Sequence, residues 1–240
     1  MRKGRKGFLL FLLIPFFILQ FSSPLSLAFE SEPRSRAFAP WSLLLVDSHA
    51  HLIPRVSLER LVTAMDESGV VMALLSSWNP DVLRAQKRYP KRFIPSFRFE
   101  SPRGWPREPE ALIRLEEDLK KGLFKAIGEI HLRAYANPIV KASPYNIPMD
   151  SPPVLNLMDL AAKYRVPLLI HGEAEFSQEL RRMLGHNRGA KVIWAHAGGG
   201  GADIVRQMLE GNSNLYADLR PGTHGGKGRG PQSWTIKEYF

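Results

Sequence analysis

Short apolar runs alternate with longer segments of helical spacing from residue 43 onward. The apolar runs are rich in Val, Ile, Leu and Phe, as strands buried on both faces are. They predict seven strands, at 43–49, 70–77, 93–99, 124–131, 167–171, 191–196 and 215–219. The segments between them predict helices at about 57–68, 81–89, 107–121, 152–164, 176–184 and 202–210. This βαβα order is typical of a parallel sheet covered by helices.

The length of the repeating unit narrows the fold class. Seven units between residues 43 and 219 have about 25 residues each, the size of one step in an eightfold barrel. The 21 residues after position 219 are too few for a further helix, an eighth strand and an eighth helix. We therefore predict an α/β protein with a (β/α)8 TIM-like barrel that is incomplete, with about seven βα units.

The first 28 residues have the layout of an export signal. Basic residues between Arg2 and Lys6 precede an apolar stretch at 8–21, and Ser26, Leu27 and Ala28 offer a cleavage site. The apolar stretch is shorter than the roughly 20 residues of a membrane-spanning helix, which favours cleavage over a retained anchor. We expect a signal peptide at 1–28, a linker at 29–42, the barrel domain at 43–220 and a Gly-rich tail at 221–240. The mature protein would then be periplasmic or secreted, with membrane contact only if the signal segment is retained.

Composition limits the kinds of site that the chain can hold. With 44% hydrophobic residues among 240, the chain can bury one sizeable core. The absence of cysteine excludes disulfides, thiolate metal sites and a cysteine nucleophile. Of the 33 basic residues, four lie in the signal segment, and the remaining 29 against 23 acidic residues leave a modest surplus of +6. We expect no nucleic-acid partner from so small a surplus.

Histidines fall repeatedly at the predicted carboxyl ends of strands. His49 and His51, two residues apart at the end of the first strand, project to the same side, so both imidazoles can reach one metal ion. Five of the seven histidines occupy such positions, and this is the barrel face on which active sites assemble. These candidates, with the acidic residue that shares the fourth strand, are His49, His51, Glu129, His131, His171 and His196.

These blocks resemble the metal-dependent amidohydrolase superfamily, in particular its amidohydrolase-2 branch, over about residues 43–220. The matching segments are 47–51, 128–131, 169–173 and 194–198, in the order and on the strands of the family. The resemblance implies one or two divalent ions, most often zinc, that activate water to attack a C–N, C–O or similar bond of a small molecule. Some relatives instead decarboxylate aromatic acids without oxidation. The implied metal ligands are His49, His51, Glu129, His171 and His196.

The sequence departs from this family at the eighth strand. Members carry an aspartate there that binds metal and takes a proton from the attacking water, and we expect this chain to end before that strand. Asp218, on the seventh strand, is the candidate replacement, and its alternative role is that of a structural carboxylate. We predict Glu129 and Asp218 as the catalytic carboxylates.

Other residues are candidates for substrate contacts. His131 is either a second metal ligand or a substrate contact. A third possibility is that it orients a metal ligand without binding the ion itself. Arg133 and Arg220 follow the fourth and seventh strands, where a guanidinium can grip a carboxylate or phosphate; the alternative is that they are ordinary exposed arginines.

Two further functions remain open, and a third is disfavoured. One is a decarboxylase of the same superfamily. Another is a catalytically inactive barrel or binding module, whose exposed strand edges would favour pairing into a homo-oligomer. A nuclease of the TatD type is disfavoured, because the fourth-strand block lacks the Gly-Leu-Asp continuation of those enzymes.

Overall fold

A computed structural model describes residues 45–52, 56–99, 109–133 and 146–218. The predicted signal peptide, linker and Gly-rich tail, together with Arg220, lie outside these residues. The strands are β1 (Leu45–Ala50), β2 (Val70–Ser76), β3 (Phe93–Phe97), β4 (Ala126–His131), β5 (Leu168–His171), β6 (Val192–Trp194) and β7 (Leu215–Ala217). The α-helices are α1 (Leu58–Ser68), α2 (Asn79–Arg88), α3 (Pro109–Lys120), α4 (Pro152–Tyr164), α5 (Ser177–His186) and α6 (Ala202–Gly211).

The strands form one curled parallel sheet in chain order, β1 to β7. Each neighbouring pair is parallel, and a helix follows each of the first six strands. Within the described residues, β1 and β7 are therefore the two edges of an incomplete (β/α)7 barrel of the TIM type. The predicted fold class is confirmed.

Local signals explain where the helices begin and end. The side chain of Ser57 accepts a hydrogen bond from the Arg60 amide at 3.2 Å and so caps the start of α1. Gly69 ends that helix with φ of +73°, a left-handed conformation that glycine adopts without strain. Helix α2 begins two residues before its predicted start, because Pro80 is tolerated in the first turn, where its missing N–H has no intrahelical partner.

One departure from the predicted elements, at the end of β6, moves a candidate site residue. This strand ends at Trp194, two residues before the predicted position. The chain then enters a left-handed turn within Ala195–Gly199, in which His196 has φ of +56° and Ala197 has φ of +47°. His196 consequently lies in the turn after the strand, and its side chain still reaches the same face of the barrel.

The barrel interior is built in layers by the two-residue period of its strands. One layer is apolar and packs Leu74, Ala126 and Leu169 together with the Ala195 side chain. Ser76 follows Leu74 by two residues in β2, and Ser96 is its neighbour in β3. Both serines are fully buried. A small polar layer thus separates the apolar interior from the carboxyl ends of the strands.

None of the helices described in the four resolved ranges combines the length and apolar character that crossing a bilayer requires.

Gly128, in β4, has no room for a side chain. Its φ is +115°, and an added Cβ would lie 2.1 Å from the carbonyl oxygen of Leu169. We expect Gly128→Ala to lower the free energy of unfolding by about 3 kcal/mol or more, from backbone strain and overpacking. The control is Gly185→Ala in α5, where the added Cβ meets nothing within 4 Å and stability should rise by up to about 1 kcal/mol. Urea denaturation measures both, and equal effects would contradict this account of β4.

Candidate metal centre

Three donor atoms converge at the end of β1. His49 Nε2 and His51 Nε2 lie 2.9 Å apart, and each lies 3.3 Å from Oε2 of Glu129. Ligands of one tetrahedral zinc ion, with bonds of about 2.0–2.1 Å, are themselves about 3.3 Å apart. The three atoms therefore have the mutual spacing of ligands that share one ion.

The outer ring nitrogens determine which atoms of the two histidines face inward. His51 Nδ1 donates a hydrogen bond to the Ser76 carbonyl oxygen at 2.5 Å, and His49 Nδ1 donates one to Oδ2 of Asp218 at 2.8 Å. A carbonyl oxygen and a carboxylate only accept, so each Nδ1 carries the hydrogen. In the neutral rings, two Nε2 lone pairs then face each other, and only a proton or a cation between them relieves the repulsion.

The remaining predicted histidines complete the same cluster. His171 Nδ1 lies 2.9 Å from Oε1 of Glu129, and His131 Nε2 lies 3.2 Å from Oε2. The His196 ring stacks on that of His49 with centroids 4.9 Å apart, and it lies 5.4 Å from the His171 ring. The structure thus brings together all five predicted metal ligands.

Three overlapping groups within the cluster have donor atoms close enough for an ion. They are His49 with His51 and Glu129, Glu129 with His131 and His171, and His49 with His196 and Asp218. Imidazole and carboxylate together suit zinc, manganese and other divalent transition metals. The donor set fits the ion that the sequence predicts, and Glu129 is shared between two of the groups.

Asp218 closes the cluster from the position directly after β7, one residue beyond the strand on which it was predicted. It is 1% exposed, and besides the bond to His49 its Oδ1 accepts a hydrogen bond from the backbone amide of His196. One oxygen of Asp218 therefore binds the His49 ring, and the other binds the His196 amide. Asp218 also links the two edges of the sheet, because His49 belongs to β1.

Two groups around the ligands were not predicted from the sequence. Ser76 holds His51 through its carbonyl oxygen, and Glu173 places Oε1 3.5 Å from His171 Nε2. A serine at the inward-facing end of an otherwise apolar strand is the signal that could have identified Ser76. Glu173 follows directly on the block that contains His171, and its acidic side chain at the barrel rim is a comparable signal.

Of the two arginines predicted to contact substrate, the structure describes only Arg133. The Arg133 guanidinium binds the Glu179 carboxylate through Nη2 at 2.7 Å and Nε at 3.0–3.1 Å, and it lies over the Phe176 ring. In this arrangement Arg133 joins the end of β4 to α5, and its role toward a substrate stays a prediction. Arg220 lies outside the described residues.

Burial and close charges shift the pKa values in the cluster. Burial alone would lower the pKa of His49, but its hydrogen bonds to Asp218 and Glu129 raise it to about 10. Burial likewise opposes protonation of His171, whose bonds to Glu129 and Glu173 raise its pKa to about 9. The same histidines hold the pKa of Glu129 far below its usual range despite burial.

Two further residues show the same balance of forces. Burial lowers the pKa of His131 to about 4. The negative charge of Glu129 opposes this shift, and the positive charges of His171 and Arg98 add to it. Burial would raise the pKa of Asp218, but its bonds to His196 and His49 lower it to about 2. In the metal-free chain at neutral pH, His49 and His171 are therefore protonated, whereas His131 is neutral.

Several solved structures share this fold. A dihydroxybenzoic acid decarboxylase from Polaromonas sp. JS666, with bound manganese and the inhibitor 2-nitroresorcinol, is 13% identical, with a TM-score of 0.50 over 72% of this chain and 77% of that one. An uncharacterised TIM-barrel protein from Bordetella bronchiseptica is 20% identical, with a TM-score of 0.49 over 67% of this chain. A 4-oxalomesaconate hydratase from Rhodopseudomonas palustris is 14% identical, with a TM-score of 0.47 over 72% of this chain and 73% of that one.

At these identities the likeness is one of fold alone. The chain spans 58% of the length of the Bordetella protein. No family model matches the chain, and no curated protein matches it.

Metal binding should release protons from the cluster. Ligands bind metal in their deprotonated form, and His49 and His171 hold protons at pH 7.5 because of their raised pKa values. We expect at least one proton to be released per zinc ion, measured by titration calorimetry in two buffers of different ionisation enthalpy. His49→Gln should release fewer protons, and His186→Gln, outside the cluster, should behave like the wild type. Binding with no proton release would contradict the predicted protonation.

Stability of the metal-free chain should fall at alkaline pH. The pKa values of His49 and His171 are raised from 6.5 on folding, so their contribution is complete below about pH 6.5 and is lost as pH rises through 9 to 10. Asp218 acts in the opposite direction, because its contribution is complete above pH 3.8 and is lost as pH falls through about 2. Urea denaturation at pH 6, 8 and 10 should show a loss of at least about 1 kcal/mol. His49→Gln should show a smaller loss, and an equal loss in that variant would assign the effect to other groups.

Proposed function

We propose that the chain is a metal-dependent hydrolase of the amidohydrolase superfamily. The observation that carries this proposal is the convergence of His49 Nε2, His51 Nε2 and Glu129 Oε2, with both outer ring nitrogens held by acceptors. The fixed hydrogen bonds keep both histidines in the tautomer that binds a cation. Among divalent ions we propose zinc, one or two per chain.

The bound ion would supply Lewis acidity and would lower the pKa of a coordinated water molecule toward 7. Around it, Glu129 has two separate tasks because its two oxygens face different partners. Oε2 lies among His49, His51 and His131, whereas Oε1 lies 2.9 Å from His171 Nδ1. Glu129 can therefore bind through Oε2 while it exchanges a proton with His171 through Oε1.

His171 is placed to pass such a proton on. Its other nitrogen, Nε2, faces Oε1 of Glu173 at 3.5 Å, so the imidazole lies between two carboxylates. The Glu173 side chain is 28% exposed and reaches the rim of the site, where a leaving group would depart. We propose Glu129 as the catalytic carboxylate and His171 as its proton carrier. The ligand role that the family resemblance implies for His171 is the alternative, because a nitrogen that binds an ion cannot also hold the proton.

Asp218, directly after β7, and His196, in the turn after β6, support this centre. Both oxygens of Asp218 accept hydrogen bonds, one from His49 Nδ1 and one from the His196 amide. These bonds support a role for Asp218 in orienting the His49 ring. Its predicted role as proton acceptor remains a proposal. His196 joins His49 and Asp218 as a possible further ligand group.

The substrate that we propose is a small molecule with a C–N, C–O or similar bond, admitted at the carboxyl ends of the strands. His131 lies at this entrance with a side chain 31% exposed, so it can contact either an ion or a substrate. We also propose export through the segment 1–28. Non-oxidative decarboxylation, or binding without catalysis, remains the competing function.

Glu129→Gln should abolish turnover while the chain still folds. The amide keeps the size of the side chain but cannot bind metal as a carboxylate or take up a proton, so we expect at least a 100-fold loss of rate. Zinc-loaded protein would be assayed against panels of amides, esters and lactones, and against aromatic carboxylic acids for release of CO2. The matched control is Glu67→Gln at the exposed end of α1, which should keep wild-type activity.

The outcomes separate the competing functions. Failure of zinc-supplemented protein to retain metal would overturn the proposed function. CO2 release without hydrolysis would favour the decarboxylase. Retained metal with neither activity would favour the binding module, and equal losses in the Glu129 and Glu67 variants would remove Glu129 from catalysis.

A further inference from the structure

Ser76, the last residue of β2, forms hydrogen bonds with two of the proposed metal ligands, His51 and Glu129. Its hydroxyl oxygen accepts a hydrogen bond from the Glu129 amide at 2.5 Å and donates one to the Gly128 carbonyl oxygen at 2.6 Å. Its own carbonyl oxygen accepts the hydrogen bond from His51 Nδ1 at 2.5 Å. Ser76 is fully buried, so no solvent competes for these bonds.

The hydroxyl bonds cross the inside of the barrel. β2 and β4 are not neighbours, because β3 lies between them in the sheet. Ser76 reaches across to Gly128 and Glu129, where the missing glycine side chain lets the β4 backbone lie against Leu169. The bonds therefore fix the distance and orientation of β4 relative to β2 at the height of the ligands.

We propose that Ser76 is a positioning residue that sets the geometry of the metal centre through both His51 and Glu129. This inference rests on the proposed function. Its carbonyl oxygen fixes the tautomer of His51, so that Nε2 faces the centre. Its hydroxyl fixes the backbone from which the Glu129 carboxylate projects, so that Oε2 meets the two histidines.

Ser96 in β3 provides a natural comparison. It is also fully buried, and its hydroxyl donates to the same Gly128 carbonyl oxygen at 2.6 Å. Among its described hydrogen bonds, however, none involves the Glu129 amide or His51. Loss of the Ser96 hydroxyl leaves Gly128 O bonded to Ser76, whereas loss of the Ser76 hydroxyl leaves the Glu129 N–H without its partner.

The test compares Ser76→Ala with Ser96→Ala. Zinc affinity is measured by competition with a chromophoric chelator, and site geometry is measured by the visible spectrum of the cobalt-loaded protein. We expect Ser76→Ala to lose about 10- to 100-fold in zinc affinity, as outer partners of metal ligands commonly do, with a changed cobalt spectrum. Ser96→Ala should lose less than about tenfold and should keep the wild-type spectrum. Thermal unfolding of the metal-free variants shows how much each hydroxyl matters to the fold alone.

A second measurement uses the unmutated protein and does not depend on a variant that folds. Long-range ¹H–¹⁵N spectra of the zinc-loaded chain should show His51 protonated at Nδ1 and coordinated through Nε2. Coordination through Nδ1, or equal zinc affinities in the two serine variants, would overturn the proposed role of Ser76. Failure of the wild-type chain to bind zinc would instead overturn the proposed function, so the two failures are distinguishable.

Discussion

The site depends on one electrostatic constraint, a carboxylate buried among imidazole nitrogens. Glu129 is 9% exposed, and removing an ionised carboxylate from water costs several kcal/mol unless positive charge compensates it. In the metal-free chain that charge is the protons of His49 and His171, which is why their pKa values are raised while that of Glu129 is lowered. A divalent cation satisfies the same requirement with a larger charge, so protons and metal compete for one place.

The barrel supplies this constraint through its two-residue period. An apolar layer around Leu74, Ala126 and Leu169 is followed by a layer with small polar groups, and then by the ligands. Ser76 and Ser96 both bond to the Gly128 carbonyl oxygen, so the backbone beneath the carboxylate is held by two other strands. The strands therefore carry most of the geometry of the site.

Much of this arrangement could be predicted from the sequence because it follows from periodicity. Alternating strand and helix patterns gave the order of elements, and parallel strands bring their carboxyl ends to one face. The positions of His49, His51, Glu129 and His171 follow from that rule, whereas the ligand roles of Glu129 and His171 were expected from the family resemblance. His196 was placed at the right face for a partly wrong reason, since β6 ends at Trp194 and a left-handed turn delivers the side chain.

The contacts across the barrel could not be predicted in this way. Ser76 bonds to a strand two positions away in the sheet, a relation that depends on barrel curvature and not on spacing along the chain. The pairing of Arg133 with Glu179 depends likewise on how α5 packs over the end of β4. Asp218 was a catalytic candidate, and the sequence does not reveal that both of its oxygens would be engaged by histidine groups.

The position of Asp218 has a consequence for the whole rim. In a closed barrel, backbone hydrogen bonds join the first and last strands. Here, within the described residues, the carboxylate of Asp218, directly after the last strand, binds the imidazole of His49 in the first. The contact that joins the two edges of the sheet thus involves the same histidine that offers Nε2 to a cation. One imidazole therefore serves the centre through Nε2 and the sheet edges through Nδ1, so losing His49 would weaken both at once.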